Sequence, residues 1–365
     1  MLASYISLIS CSAVQPGGDA EVSTEPDATS LVRAADRALP AIVAPAVVYV
    51  GEVHDQYGDH INQLAVISAL RERNLNVAVG LEMIQTPFQA PLDRYIEGAL
   101  DLESMLAITE YFDRWRYDPR LYAPIFEYAR QHRLPLLALN APRELTDRVS
   151  EVGIAGLTPE ERAALPTELT PLAPEYRALL EQVFGEHGTA GDASLDRFID
   201  VQTTWDEVMG RKSAEFLQAN PDHVLVVLAG VQHVAHGHGI PARVENASGL
   251  TGTIVLTENE RERLPGGGDV YLETTDESLP DAGRLGVYIE TTEAGPVIAG
   301  FADDSPASEA GAEAEDIIVR INDREVDAFG DIKLELWDQL PGDPVRMAVQ
   351  RGPEGTVTEL SFELR

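Results

Sequence analysis

The chain has 365 residues, 44% of them hydrophobic, enough for two or three globular cores. It carries 27 Lys+Arg against 61 Asp+Glu, a formal net charge of −34, and its lysines are Lys212 and Lys333 alone. This balance argues against duplex nucleic acid and anionic membrane surfaces as partners, because both are held by basic contacts. An acidic, Lys-poor surface suits a chain kept soluble in high salt, and a biased genome composition would leave the same preference for Arg.

In chain order, the one cysteine comes first. Leu8-Ile9-Ser10-Cys11 follows a short apolar run and resembles a lipobox, in which the Cys is cut and lipidated. Residues 1–30 then read as a signal and flexible tether, rich in Pro, Gly, Ser and Thr. The expected location is the cell envelope, with a lipid anchor as the sole tie to the membrane, or a soluble periplasmic form. No apolar run reaches the roughly 20 residues of a membrane-spanning helix. From residue 31, strands alternate with helical stretches. Strands are expected at 46–50, 77–83, 134–140 and 223–230, and amphipathic helices at 60–73, 122–132 and 196–218. The Pro-punctuated stretch between the third strand and the last of these helices reads as a helical lid insertion. Continuous apolar strands alternating with helices predict an α/β domain over 31–258, a mostly parallel sheet with helices on both faces. Residues 259–280 contain Gly266-Gly267-Gly268 and many acids and read as a linker, although VYLET (270–274) within it could form a strand. Residues 281–365 form a second, smaller domain.

The chemistry collects where strands end. The first runs into Gly51-Glu52-Val53-His54-Asp55, with His60 soon after, and the second ends in Gly80-Leu81-Glu82. The third ends at Asn140 with Arg143 just beyond, and the fourth opens into Gly230-Val231-Gln232-His233, with His236 and His238 following. In a parallel sheet these ends share one edge, and open α/β sheets bind ligands there. Five of the eight histidines follow two of the strands, a concentration that favours a site over solvated loops. Neutral His and carboxylates suit Fe, Zn or Mn by ligand type, and equally suit general acid–base work. On the metal reading the candidate ligands are His54, Glu82 and His233. On the catalytic reading the candidates are Glu52, His54, Glu82 and His233.

These segments resemble the ChaN-like haem-binding lipoproteins, which group with Tiki and TraB-type proteins and, more remotely, erythromycin esterases. The resemblance runs through Gly51–Asp55 with His60 and Gln63, Gly80-Leu81-Glu82-Met83, Leu92-Asp93-Arg94-Tyr95, and the segment from Tyr122 to Arg130. It continues through ALNAPREL (138–145), QTTWDEVMG (202–210) and VVLAGVQHVAHGHGIPARV (226–244). It implies haem or iron acquisition at the cell envelope, and the wider superfamily implies a metal-dependent hydrolase at the same Glu52, His54 and His233 positions. Ala235-His236 departs from the family's usual basic residue and Tyr, so the role of that Tyr falls to His236. With the strand-end placement, the candidate haem contacts are His54, His60, Arg143, His233 and His236. Haem also needs cations for its propionates, and Arg114, Arg116, Arg143 and Arg243 lie near the expected edge.

The second domain, in RLGVYIE (284–290), AEDIIVRINDREV (314–326) and LPGDPVRMAVQR (340–351), resembles a small β-rich bacterial protease-type PDZ domain. That implies a C-terminal peptide partner received at Leu285, Gly286, Val287 and Tyr288 by strand addition. Glu315 and Asp323 stand at turn positions where Gly is usual. Three functions remain open on the sequence: a haem or iron binder, a metal-dependent hydrolase, and a non-catalytic PDZ adaptor.

Overall fold

In the first strand, Val47 and Tyr49 enter one apolar layer while Val48 and Val50 enter another. In the fourth, Leu225, Val227 and Ala229 face the first layer and Val224, Val226 and Leu228 the second. Strands that are apolar on both faces demand cover on both faces, which is the condition for a parallel sheet between helices. The computed structural model, which describes residues 28–186, 192–275, 277–352 and 355–365, has that arrangement. The strands are β1 (Ala46–Glu52), β2 (Asn76–Gln85), β3 (Leu136–Asn140), β4 (His223–Gly230), β5 (Gly252–Thr257) and β6 (Val270–Leu272). They run in the order β3-β2-β4-β1-β5-β6, and every pairing is parallel. β4 therefore lies between β1 and β2, and the three segments richest in titratable groups emerge side by side.

Two boundaries differ from the sequence expectation. Cys11 lies outside the described residues, but a helix, Ala28–Ala38, begins within the stretch read as a tether. The stretch read as a linker contains the helix Glu258–Arg263 and β6, which completes the first sheet beside β5. β6 is three residues long and flanked by Gly and acids, so periodicity gave it little weight. The expected lid is present as the helices Pro159–Arg162 and Pro174–Glu186. Its Leu165 and Leu180 pack toward the helix Asp192–Ala219 through Val208 and Ile199 respectively. Among the described residues no helix is long and apolar enough to cross a membrane.

The second sheet contains β7 (Val287–Thr292), β8 (Gly295–Phe301), β9 (Asp316–Ile321), β10 (Arg324–Glu325), β11 (Pro344–Arg351) and β12 (Val357–Glu363). Its order is β12-β11-β9-β8-β7, with β10 on β9 and all pairings antiparallel. β7 is an edge strand. Glu315 takes the left-handed conformation itself, at φ 70°, so the turn persists without the usual glycine at a cost in backbone strain. The helix Phe329–Leu336 joins the two domains. Ile332 and Leu336 enter the small domain's core, whereas Leu334 packs into the apolar layer of the first domain.

Leu272 is buried in β6. If β6 belongs to the first domain, Leu272→Ala costs about 2–3 kcal/mol of stability, measured by urea unfolding. A change below about 0.5 kcal/mol, the scale of ordinary surface substitutions, would return this segment to the linker.

Candidate functional site at the carboxyl edge

β1 delivers Glu52 into the interior, where its side chain has no solvent exposure. A buried carboxylate needs partners, and this one has four. Tyr122 Oη donates to Oε1 at 2.6 Å, and Gln63 Nε2 donates to Oε2 at 2.6 Å. His54 Nδ1 lies 2.7 Å from Oε1 and His60 Nδ1 3.2 Å from Oε2. Burial alone would raise the Glu52 pKa, but the imidazoles of His60 and His54 outweigh it and hold the carboxyl well below the usual range. The turn that follows is pinned by the helix Tyr57–Glu72, whose Asp59 accepts from the Val53 backbone N–H at 2.8 Å. Burial pushes Asp59 up to about 6, against that hydrogen bond.

His60 is the inner anchor. Its Nε2 faces the His54 carbonyl oxygen at 3.1 Å, and its Nδ1 faces Gln63 Oε1 at 3.1 Å as well as Glu52. The Gln63 amide is already oriented by its donation to Glu52, so both His60 nitrogens meet acceptors. Burial lowers the His60 pKa, and Glu52 more than compensates, so it is raised. His60, expected among the haem contacts, is buried behind His54 and faces its carbonyl oxygen.

β2 and β4 bring the second group. Glu82 Oε2 accepts from the Gly230 N–H at 2.6 Å. Its Oε1 lies 3.4 Å from His233 Nε2, and His233 Nδ1 lies 2.7 Å from Asp206 Oδ1. Tyr176 Oη donates to Asp206 Oδ2 at 2.7 Å, which ties the lid to the site. His233 thus lies between two carboxylates, both nitrogens facing acceptors. Burial lowers its pKa, but Glu82 and Asp206 prevail and lift it to about 9. The two groups meet at Gly230, where a Cβ would stand 2.9 Å from His54 Cε1, so a larger residue would displace the imidazole.

His54, Glu52, Glu82 and His233 therefore converge at the ends of β1, β2 and β4, as their strand-end positions predicted. Among the described residues, no group of three or more His, Cys, Asp and Glu has a geometry that could hold a metal ion. His54, Glu82 and His233 are instead committed to one another and to Asp206 and Glu52. Nε2 of His54 makes no hydrogen bond among the described residues, and the ring is covered by Trp115 and Tyr117 at centroid distances of 4.7 and 4.9 Å. Arg143 lies elsewhere, donating to the Asp113 carbonyl and so holding the aromatic segment that covers His54.

The turn after β4 is different. His236 is exposed in a left-handed conformation at φ 58°, and its ring stacks on His238 at 5.9 Å. Neither ring makes a hydrogen bond among the described residues. Burial, the neighbouring His236 and Arg243 all lower the His238 pKa, which favours the neutral ring. Beneath the pair, Arg243 is 2% exposed and donates through Nη1 to the His238 and Gly239 carbonyls. Its Nε faces Glu207 at 3.3 Å without hydrogen-bond geometry, and its Nη2 has no partner.

Sequence reasoning missed Asp206, Tyr176 and Tyr122 as site residues. Asp206 was legible in part, as an acid on a long helix beside Thr203, Met209 and Gly210, positions that belong to the buried face. Nothing in the sequence marked Tyr176 as a partner for it.

A parallel α/β sheet with a buried carboxylate–imidazole cluster at its carboxyl edge, joined to a small antiparallel β domain, defines a two-domain α/β plus β class. Residues 39–244 match the family described as haem-binding uptake, Tiki superfamily, ChaN, and the chain belongs to that family. Residues 283–364 match the PDZ domain family. A curated relative, the chloroplastic protein RETICULATA-RELATED 5 of Arabidopsis thaliana, is 24% identical over 270 residues, 67% of this chain. The chain spans 35% of that relative's length. Among solved structures, ChaN of Campylobacter jejuni with cofacially bound haem is 20% identical, with a TM-score of 0.47, covering 68% of this chain and 90% of that one. The HtrA-type protease AlgW with a decapeptide is 26% identical, with a TM-score of 0.21, covering 23% of this chain and 30% of that one.

A histidine whose pKa is raised on folding adds stability that is complete below its unfolded value near 6.5 and is lost as pH rises through about 9. The thermal midpoint is expected to fall across that interval by the equivalent of about 3 kcal/mol. Asp206→Asn should flatten the slope, and an unchanged slope in that variant would contradict the pairing.

Proposed function

We propose that this chain binds haem as cargo, with His236 as the axial ligand, His238 beside it and the Arg243 charge beneath. The observation that carries this reading is the division among the histidines at the edge. His60 and His233 are buried with both ring nitrogens facing oxygen atoms, while His236 and His238 present nitrogens that make no hydrogen bond among the described residues, on an outward turn. Haem iron accepts a neutral imidazole as axial ligand. The family's description as haem-binding uptake supports the same ligand. A role in iron acquisition at the envelope, anchored through Cys11, belongs to the proposal and rests on the Leu8-Ile9-Ser10-Cys11 stretch.

A hydrolase is the second reading. The observation favouring it is the unspent Nε2 of His54 beside Glu82 and His233, with both imidazoles oriented by carboxylates, an arrangement suited to proton transfer. Under it, purified protein hydrolyses an ester or amide substrate, and His54→Ala lowers that turnover about 100-fold or more. Absence of turnover on such substrates would count against it.

Adding haemin to the purified protein should give a saturable, shifted Soret band. His236→Ala should weaken binding about tenfold or more, equivalent to about 1.4 kcal/mol, whereas His60→Gln should leave the band position unchanged. No saturable band, or one indifferent to His236, would overturn the haem assignment. Separately, Cys11→Ala should move the protein from the membrane to the soluble fraction of a bacterial host. Soluble wild-type protein would end the anchoring proposal.

A further inference from the structure

A cavity of about 510 Å³ lies where the two domains meet, and both supply its walls. From the small domain come the free edge of β7, with Gly286 and Val287 at its start, and Ile332, Lys333 and Leu336 of the helix Phe329–Leu336. Gly286 stands at φ 72° against Ser305 and Pro306, where a Cβ would come within 2.7 Å of Ser305 Cα. This tight turn opens an unpaired strand edge, which recruits an extended peptide by strand addition. From the first domain come Phe112, Arg116, Tyr117, Asp118 and Pro119. The fit between domains is close, since a Cβ on Gly330 would lie 2.7 Å from Asp113 Oδ2.

The charge of this groove runs against that of the molecule. In a chain of net charge −34, Arg116, Arg284 and Lys333 line it, and none of them forms an ion pair among the described residues. Three unpaired cations and an apolar floor of Leu285, Ile289 and Leu336 complement an apolar residue with a free carboxylate. Tyr117 lies on both sides of the wall. It lines this groove, and its ring covers His54 at 4.9 Å.

We propose that the peptide site of this chain is composite: the first domain's Arg116 and Tyr117 form its second wall, and a bound C-terminal peptide shifts Tyr117 and uncovers His54. The assignment of a peptide to the groove rests on the PDZ family match, and the participation of the first domain is the new element. It needs no haem, so the haemin titration can fail without affecting it.

The test uses the full chain and an eight-residue peptide ending in valine, followed by fluorescence anisotropy of an N-terminal label. Binding is expected with a free carboxylate and lost with the amidated peptide. Arg116→Glu should weaken it about tenfold, as expected for removal of a charge-assisted contact. Diethylpyrocarbonate labelling, mapped by mass spectrometry, should then show His54 modified several-fold faster with saturating peptide. Tyr117→Ala should give the fast rate without peptide. Far-UV circular dichroism checks that each variant folds. Absence of binding, binding indifferent to Arg116, or a His54 rate that ignores the peptide would each overturn the composite site.

Discussion

A carboxylate with no access to water must be surrounded by donors, and in this protein that requirement fixes the arrangement of the carboxyl edge. Glu52 ends β1 in the interior with Tyr122, Gln63, His54 and His60 around it. Removing one partner would strand a buried charge, a change worth several kcal/mol, so the four are bound to act as a unit. That unit sets the direction of His54, which in turn demands a glycine at 230. The backbone N–H of Gly230 then holds Glu82, and Glu82 with Asp206 holds His233. One constraint propagates across β1, β4 and β2 and out to the lid through Tyr176.

The consequence is a segregation of imidazoles by surroundings. His60 and His233, set against carboxylates, have raised pKa values and serve structure. His236 and His238, on the turn beyond β4, make no hydrogen bond to an acid among the described residues. The aromatic segment 111–122 links the inner group to the small domain, because Trp115 and Tyr117 cover His54 while Tyr117 also faces the β7 groove.

Much of the first sheet was legible because its strands are apolar on both faces and end in glycine followed by polar residues. β4 matches its expected span of 223–230, and the convergence of Glu52, His54, Glu82 and His233 followed from strand ends sharing an edge. β5 was not seen, being short, and β6, which lies among glycines and acids, was legible only as a strand that the linker could contain. Protonation states were out of reach. His60 and His233 read as ligands in sequence because a histidine's partners are set by tertiary contacts, here with Glu52 at the end of β1 for His60 and with Asp206 on the helix Asp192–Ala219 for His233. Glu315 was legible as an irregularity, and the structure resolves it by placing a non-glycine residue in the left-handed region.

The most direct test of the segregation of imidazoles is long-range nitrogen–proton NMR of the histidine side chains at pH 7.5, before and after sub-stoichiometric haemin. The account predicts imidazolium patterns for His60 and His233 and a neutral His238 before addition. Paramagnetic broadening should then reach His236 and His238 first. A neutral His233, or broadening that begins at His54 and leaves His236 sharp, would contradict it.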